Sequence, residues 1–86
     1  MAESETASQQ ALDIRRKLAE TNPAAYLHEV AQALNERGVL YKDTQRLTEA
    51  ESAFREALDI YRNLAEANPS VYGPDVTLTL NNLAAL

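Results

Sequence analysis

The sequence predicts an all-α protein of about four helices, arranged as antiparallel pairs. Apolar residues recur at spacings of three and four along most of the chain, which is the period of an amphipathic helix. Glycine occurs only twice and proline three times in 86 residues, so helix breakers are few. A segment of the chain also recurs almost unchanged further along, which indicates a repeated structural unit.

The repeat has a fixed offset of 46 residues. Residues 11–23 and residues 57–69 are identical at ten of thirteen positions, and the same offset pairs Tyr26 with Tyr72 and Asn35 with Asn81. Chance similarity between two amphipathic helices would not keep one offset through a loop and into the next helix. The sequence therefore predicts stacked helical pairs, which form an α-solenoid.

The predicted elements belong to three successive repeats. Residues 5–21 are the second helix of a preceding repeat, which ends at Asn22-Pro23 because the residue before proline disfavours helix. One complete helical pair follows at residues 24–67, with a polar break at residues 43–45. Short connections of this kind make neighbouring helices antiparallel.

Two further boundaries rest on capping patterns. The second helix of the complete pair, residues 47–67, is expected to start with a capping box formed by Thr48 and Glu51. The last helix, residues 74–86, is the first helix of a following repeat. Its predicted start is Pro74-Asp75, because proline tolerates the first turn and an acid complements the helix dipole there.

Composition argues against several classes of protein. Thirteen acidic residues against eight basic ones give a net charge of −5, whereas nucleic-acid binding usually needs a basic surface. No cysteine is present to form a disulfide or a thiolate metal site. No apolar run approaches the roughly 20 residues of a membrane span, and the polar first ten residues lack a secretory signal. We therefore expect no nucleic-acid partner, no membrane partner and a cytoplasmic location by default.

Candidate catalytic residues are weak. His28 is the only histidine, and its neighbour Glu29 falls on a different helix face. Acid pairs such as Glu49 and Glu51 lie near Arg55, which suits solvated ion pairing along a helix. We therefore expect no enzyme activity, no catalytic residue, no metal site and no cofactor.

The motif inside the repeat resembles the tetratricopeptide repeat family. The family spacing is matched by Leu34, Gly38, Tyr41, Ala50 and Phe54, and Ala57 takes the place of the usual small residue. Arg37 departs from the usual leucine, and Pro69 comes later than in the common 34-residue unit. The longer second helix is similar to that of the longer-repeat relatives, such as kinesin light chains and many bacterial signalling proteins.

The motif also has a packing reason. A glycine within a helix costs about 1 kcal/mol relative to alanine, so Gly38 is expected where two backbones approach closely. Ala50 and Ala57 are then small on the facing helix, and Tyr41 and Phe54 fill the space between pairs.

The resemblance implies a scaffold for protein–protein interaction, whose first helices line a concave groove for a peptide or protein segment. In the similar subgroup, asparagines at the position of Asn35 and Asn81 hydrogen-bond the backbone of an extended peptide, a role that suits an amide. Gln32, Val39 and Lys42 are expected on the same face. The alternative interpretation is that these are ordinary polar surface or capping positions.

Two other functions stay open. Residues 76–86 carry no charge, and that helix lacks a second-helix partner, so identical copies could assemble through their uncapped terminal helices. We expect dimers or larger oligomers at micromolar concentration. The chain could also be a fragment of a longer repeat protein, or a regulatory segment of a larger enzyme.

Overall fold

The computed structural model describes residues 2–86, apart from the side chains of residues 2–5, Ser8 and Ala24. Within that range the chain forms four helices: α1 (Ala2–Thr21), α2 (Pro23–Asp43), α3 (Leu47–Ala67) and α4 (Pro69–Ala84). α2 packs against α1 and α3, and α3 packs against α4. The predicted all-α fold of about four helices is confirmed.

The two connections that contain Asn-Pro have the same backbone conformation. Asn22 has φ −147° and ψ 73°, and Asn68 has φ −147° and ψ 72°. In both connections one non-helical asparagine separates two helices, and the proline that follows is the first residue of the next helix. The repeat in the sequence is therefore a repeat in the backbone.

The predicted start of the last helix at Pro74 is wrong. α4 begins at Pro69, the equivalent of Pro23 at the start of α2, and Pro74 lies inside the helix. Proline inside a helix leaves the carbonyl four residues earlier without its usual donor. That carbonyl belongs to Ser70, which is exposed, so water can take the place of the missing donor. At the other end of the chain, α1 begins at Ala2 rather than near residue 5.

The predicted capping box at the start of α3 is also wrong. α2 ends in a Schellman motif, in which the Arg46 N–H donates to the Tyr41 carbonyl (2.8 Å) and the Gln45 N–H donates to the Lys42 carbonyl (3.1 Å). Gln45 takes the left-handed conformation that this motif needs, with φ 65°. The motif makes Arg46 the N-cap of α3, so Thr48 falls within the first turn and no side chain caps the helix.

The centre of the core is the contact between Gly38 of α2 and Phe54 of α3. Phe54 is fully buried, and a Cβ atom added at Gly38 would lie 2.6 Å from its Cδ1 atom and 2.7 Å from its Cζ atom. Ala50 and Ala57, one turn to either side of Phe54, are also fully buried. Small residues next to a large ring thus bring α2 and α3 close together.

Replacing Gly38 by leucine is expected to lower the free energy of unfolding by about 3 kcal/mol, because the new side chain has to displace a fully buried ring. Urea denaturation followed by circular dichroism measures the loss. An unchanged melting temperature would contradict the packing of Phe54 on this glycine.

Gly73 provides the matched control. It also lies inside a helix, but apart from its own turn of helix and its chain neighbours nothing stands within 4 Å of a Cβ added there. Gly73→Ala is therefore expected to change the free energy of unfolding by less than about 1 kcal/mol, because the gain in helix propensity is opposed by the clash between the new Cβ and the ring of Pro74.

Candidate functional site

One side of α2 and the matching side of α4 are left uncovered by the other helices. Exposed residues recur along α2 at spacings of three and four, and the offset of 46 carries three of them onto exposed residues of α4. We call this surface the open face. It comprises Ala25, His28, Gln32, Glu36, Val39 and Asp43 of α2 with Val71, Pro74 and Leu78 of α4.

Two of the five residues predicted to bind a peptide lie on the open face. Gln32 is exposed, and Val39 is 43% exposed. Lys42 is partly buried at the edge of this surface. The open face therefore includes part of the predicted set and adds apolar residues of α4, of which Leu78 is 53% exposed.

Asn35, another of the five residues predicted to bind a peptide, is buried where α2, α3 and α4 meet. Its Nδ2 atom donates a hydrogen bond to the Thr79 Oγ1 atom at 3.0 Å, and the Tyr61 side chain also hydrogen-bonds this amide. The Thr79 hydroxyl is fully buried and donates in turn to the backbone carbonyl of Asp75 at 2.9 Å. The Asn35 amide is therefore engaged by its own chain, and its visible role is to join three helices.

Asn81 is exposed, although its repeat equivalent Asn35 is buried. The difference arises because Asn35 is covered by α4, whereas no helix of residues 2–86 stands in that place next to α4. Asn81 lies three residues from Leu78, so its amide is at the edge of the open face. Its role toward a bound peptide stays a prediction.

Tyr61 is the titratable group whose environment is most altered. Burial raises the pKa of the Tyr61 phenol from 10.0 to about 12, and the nearby charge of Asp75 adds to the rise. The hydrogen bond from Asn35 acts in the opposite direction, but it is the weaker influence. The side chain is 3% exposed, so this phenol is part of the packing between α3 and its neighbours.

The open face is acidic. Glu36 and Asp43 are exposed on it, and Asp75 is half-buried at its border. The His28 ring lies against the Tyr72 ring with 6.0 Å between centroids, which bridges α2 and α4. An acidic surface that carries isolated apolar side chains suits a partner with both basic and apolar residues.

Residues 30–69 match the family model of the tetratricopeptide repeat. The chain contains a tetratricopeptide repeat. A search of the curated proteins finds no match, and a search of the solved structures finds none either. The matched segment runs from Val30 in α2, through α3, to Pro69 at the start of α4, and it contains the sequence motif. The similarity to the longer-repeat subgroup stays a prediction.

Most motif positions of the tetratricopeptide repeat are buried in the structure: Leu34, Gly38, Ala50, Phe54 and Ala57. Tyr41 is half-buried and lies between two guanidinium groups, with the Arg37 Cζ 4.9 Å and the Arg46 Cζ 4.7 Å from its ring centroid. Arg37 is 6% exposed and also donates a hydrogen bond to the Tyr41 hydroxyl. Contact with Tyr41 thus accommodates an arginine where the family usually has leucine.

A cleft separate from the open face lies between α1 and α3. Its two cavities, of about 300 Å³ and about 310 Å³, border residues on the side of α2 that faces away from Gln32. An ion pair between Arg16 and Glu56 (2.9 Å) lies between them. Four acidic and two basic side chains line this cleft, so its charge disfavours an anionic ligand.

Tetratricopeptide repeats typically form scaffolds without enzyme activity. His28 is exposed on the open face beside Tyr72. Among the described residues, no three His, Asp or Glu side chains are grouped so that they could hold a metal ion. None of the helices in residues 2–86 combines the length and the apolar character needed to cross a membrane.

The raised pKa of Tyr61 predicts a loss of stability at high pH. The unfolded tyrosine ionises near pH 10.0, whereas the folded repeat keeps the phenol neutral until about pH 12. The stabilising contribution is therefore fully present below pH 10 and is lost as the pH rises toward 12. Urea unfolding at a series of pH values measures this fall, which should be smaller in Tyr61→Phe. Equal pH dependence in the two proteins would contradict the burial of the phenol as its cause.

Proposed function

We propose that the open face binds an extended or helical segment of another protein. Tetratricopeptide repeats generally mediate protein–protein interaction, which supports this proposal. The observation that carries it is the set of exposed apolar residues on the first helices: Val39 (43% exposed), Val71 (54%) and Leu78 (53%). In a chain with a net charge of −5, such residues on one face favour a partner that covers them.

Each part of the open face has a chemical role in the proposal. Leu78 and Val39 provide apolar contacts for side chains of the partner. Gln32 offers both a hydrogen-bond donor and an acceptor, which a peptide backbone needs. Glu36 and Asp43 attract lysine or arginine in the partner and speed association, an effect that salt weakens.

The small size of the open face favours weak binding. Ala25 and Asp43, its two ends on α2, are eighteen residues apart, which is about 27 Å along a helix axis, and neighbouring helices lie about 10 Å apart. The strip between α2 and α4 is therefore about 270 Å², well below the roughly 800 Å² that each partner buries in a standard interface. We expect one chain to bind a single segment at micromolar affinity or weaker.

A peptide array tests the proposal. Peptides of equal length, in which the numbers of basic, acidic and leucine residues vary independently, are probed with the labelled chain. We expect the strongest binders to contain both basic and leucine residues. Acidic peptides as the best binders would contradict the charge of the open face as a source of selectivity.

Variants then locate the binding surface. For the best peptide, Leu78→Glu is expected to weaken binding at least about tenfold in fluorescence polarisation, because a charge replaces an apolar contact. Leu47→Glu is the matched control, since Leu47 is equally apolar and 46% exposed but lies at the start of α3. Asn81→Ala tests the edge of the site without disturbing the buried Asn35. Binding that survives Leu78→Glu unchanged would reject the open face.

A further inference from the structure

α4 exposes residues whose equivalents in α2 are buried. Leu34 is 3% exposed, but its equivalent Leu80 is 42% exposed. Ala31 is fully buried, whereas its equivalent Thr77 is exposed. Likewise, Gly38 is buried under Phe54, whereas its equivalent Ala84 is exposed. The side of α2 that α3 covers is therefore present on α4 without a cover.

α1 exposes the complementary surface. In α3 a stripe of apolar residues with helical spacing, Ala53, Ala57, Ile60 and Leu64, is buried or half-buried in the core that includes α2. The offset of 46 places Ala7, Ala11, Ile14 and Leu18 at the same positions of α1. Ile14 is 60% exposed and Leu18 is 39% exposed. Apart from the central pair, where Ala84 and Ser8 stand in place of Gly38 and Phe54, both halves of the α2–α3 interface thus occur a second time, uncovered, on the two terminal helices.

We propose that α1 of a second copy of this chain packs on α4, in the register in which α3 packs on α2. The similarity between α1 and α3 supports α1 of a second copy as the helix that covers α4, because residues 11–23 share ten of thirteen residues with residues 57–69. The α2–α3 contact within the chain is the template for the contact between copies. An unrelated partner would need to reproduce a surface that the chain already carries on α1.

Electrostatics permits this packing. α4 carries no charged side chain beyond Asp75, so no charge on it would be buried under the incoming helix. Within one chain, Arg16 of α1 also pairs with Glu56 of α3 across the cleft between these two helices. In the contact between copies, the equivalent positions hold Arg62 of one copy and Gln10 of the next, so no like charges meet there. The association is therefore expected to depend little on salt.

The proposed contact is head-to-tail. The α4 end of one copy binds the α1 end of the next, which leaves a free α4 end for a third copy. A heterologous contact of this kind builds an open-ended stack unless its rotation closes a ring. Each added copy would also extend the open face, although the stacking does not depend on peptide binding.

Two single substitutions test the polarity of the contact. Leu80→Glu blocks the α4 end and Ile14→Glu blocks the α1 end, and both residues are exposed in the single chain, so the fold should be kept. Sedimentation equilibrium from micromolar to millimolar concentration measures the association, and circular dichroism checks the fold. We expect the unmodified chain to gain mass with concentration, and each variant alone to self-associate at least about tenfold more weakly.

The mixture of the two variants is the decisive sample. The Ile14→Glu copy keeps a competent α4 end and the Leu80→Glu copy keeps a competent α1 end, so together they should form a one-to-one complex that grows no further. A mixture that stays monomeric would overturn the head-to-tail contact, as would an unmodified chain that remains a monomer throughout.

Leu78→Glu is the matched control on the same helix. Leu78 is 53% exposed, but its equivalent Gln32 is exposed in α2 as well, so this position lies outside the proposed contact. Leu78→Glu should leave the sedimentation of the chain unchanged while it weakens peptide binding. Equal loss of self-association in Leu78→Glu and Leu80→Glu would reject the register and indicate general adhesion of an apolar helix.

Discussion

The rest of the structure depends on the close approach of α2 and α3 at Gly38. The side chain of Gly38 is a single hydrogen atom, and the Phe54 ring fills the space beside it, so no larger side chain fits at position 38. Because Phe54 is completely enclosed, its ring fixes both the distance between the two helices and their relative height. α1 and α4 then pack on a pair whose geometry is already set, which orients the open face.

A second constraint is polar and acts between repeats. Thr79 and Asn35 form a buried hydrogen bond between α4 and α2, and Tyr61 of α3 hydrogen-bonds the same amide. A one-residue slip of α4 would leave these groups buried without partners, which costs more than a lost apolar contact. The equivalent of Thr79 in the preceding repeat is Ala33, which is buried and has no such bond to make. The polar contact is therefore a feature of this one junction, whereas the apolar contacts recur.

Much of the fold could be predicted because the repeat supplies its own comparison. The offset of 46 residues predicts that Pro69 starts a helix as Pro23 does, and the error at Pro74 came from the local capping pattern, which disregarded that equivalence. The open face was only partly predictable. Gln32 and Val39 are exposed as expected, but the burial of Asn35 depends on Thr79, which lies 44 residues away and has no distinctive pattern around it. Sequence spacing gives the side of a helix, but it does not identify the neighbour that covers that side.

The matching torsions at Asn22 and Asn68 have a geometrical consequence. Two helices joined by identical linkers are related by the same rotation and translation, so the movement that carries α1 onto α2 also carries α3 onto α4. The movement from one repeat to the next combines this connection with the Schellman connection between α2 and α3, and its repetition traces a screw. A change of a few degrees at the equivalent asparagines would therefore alter the curvature of every successive turn in the same direction.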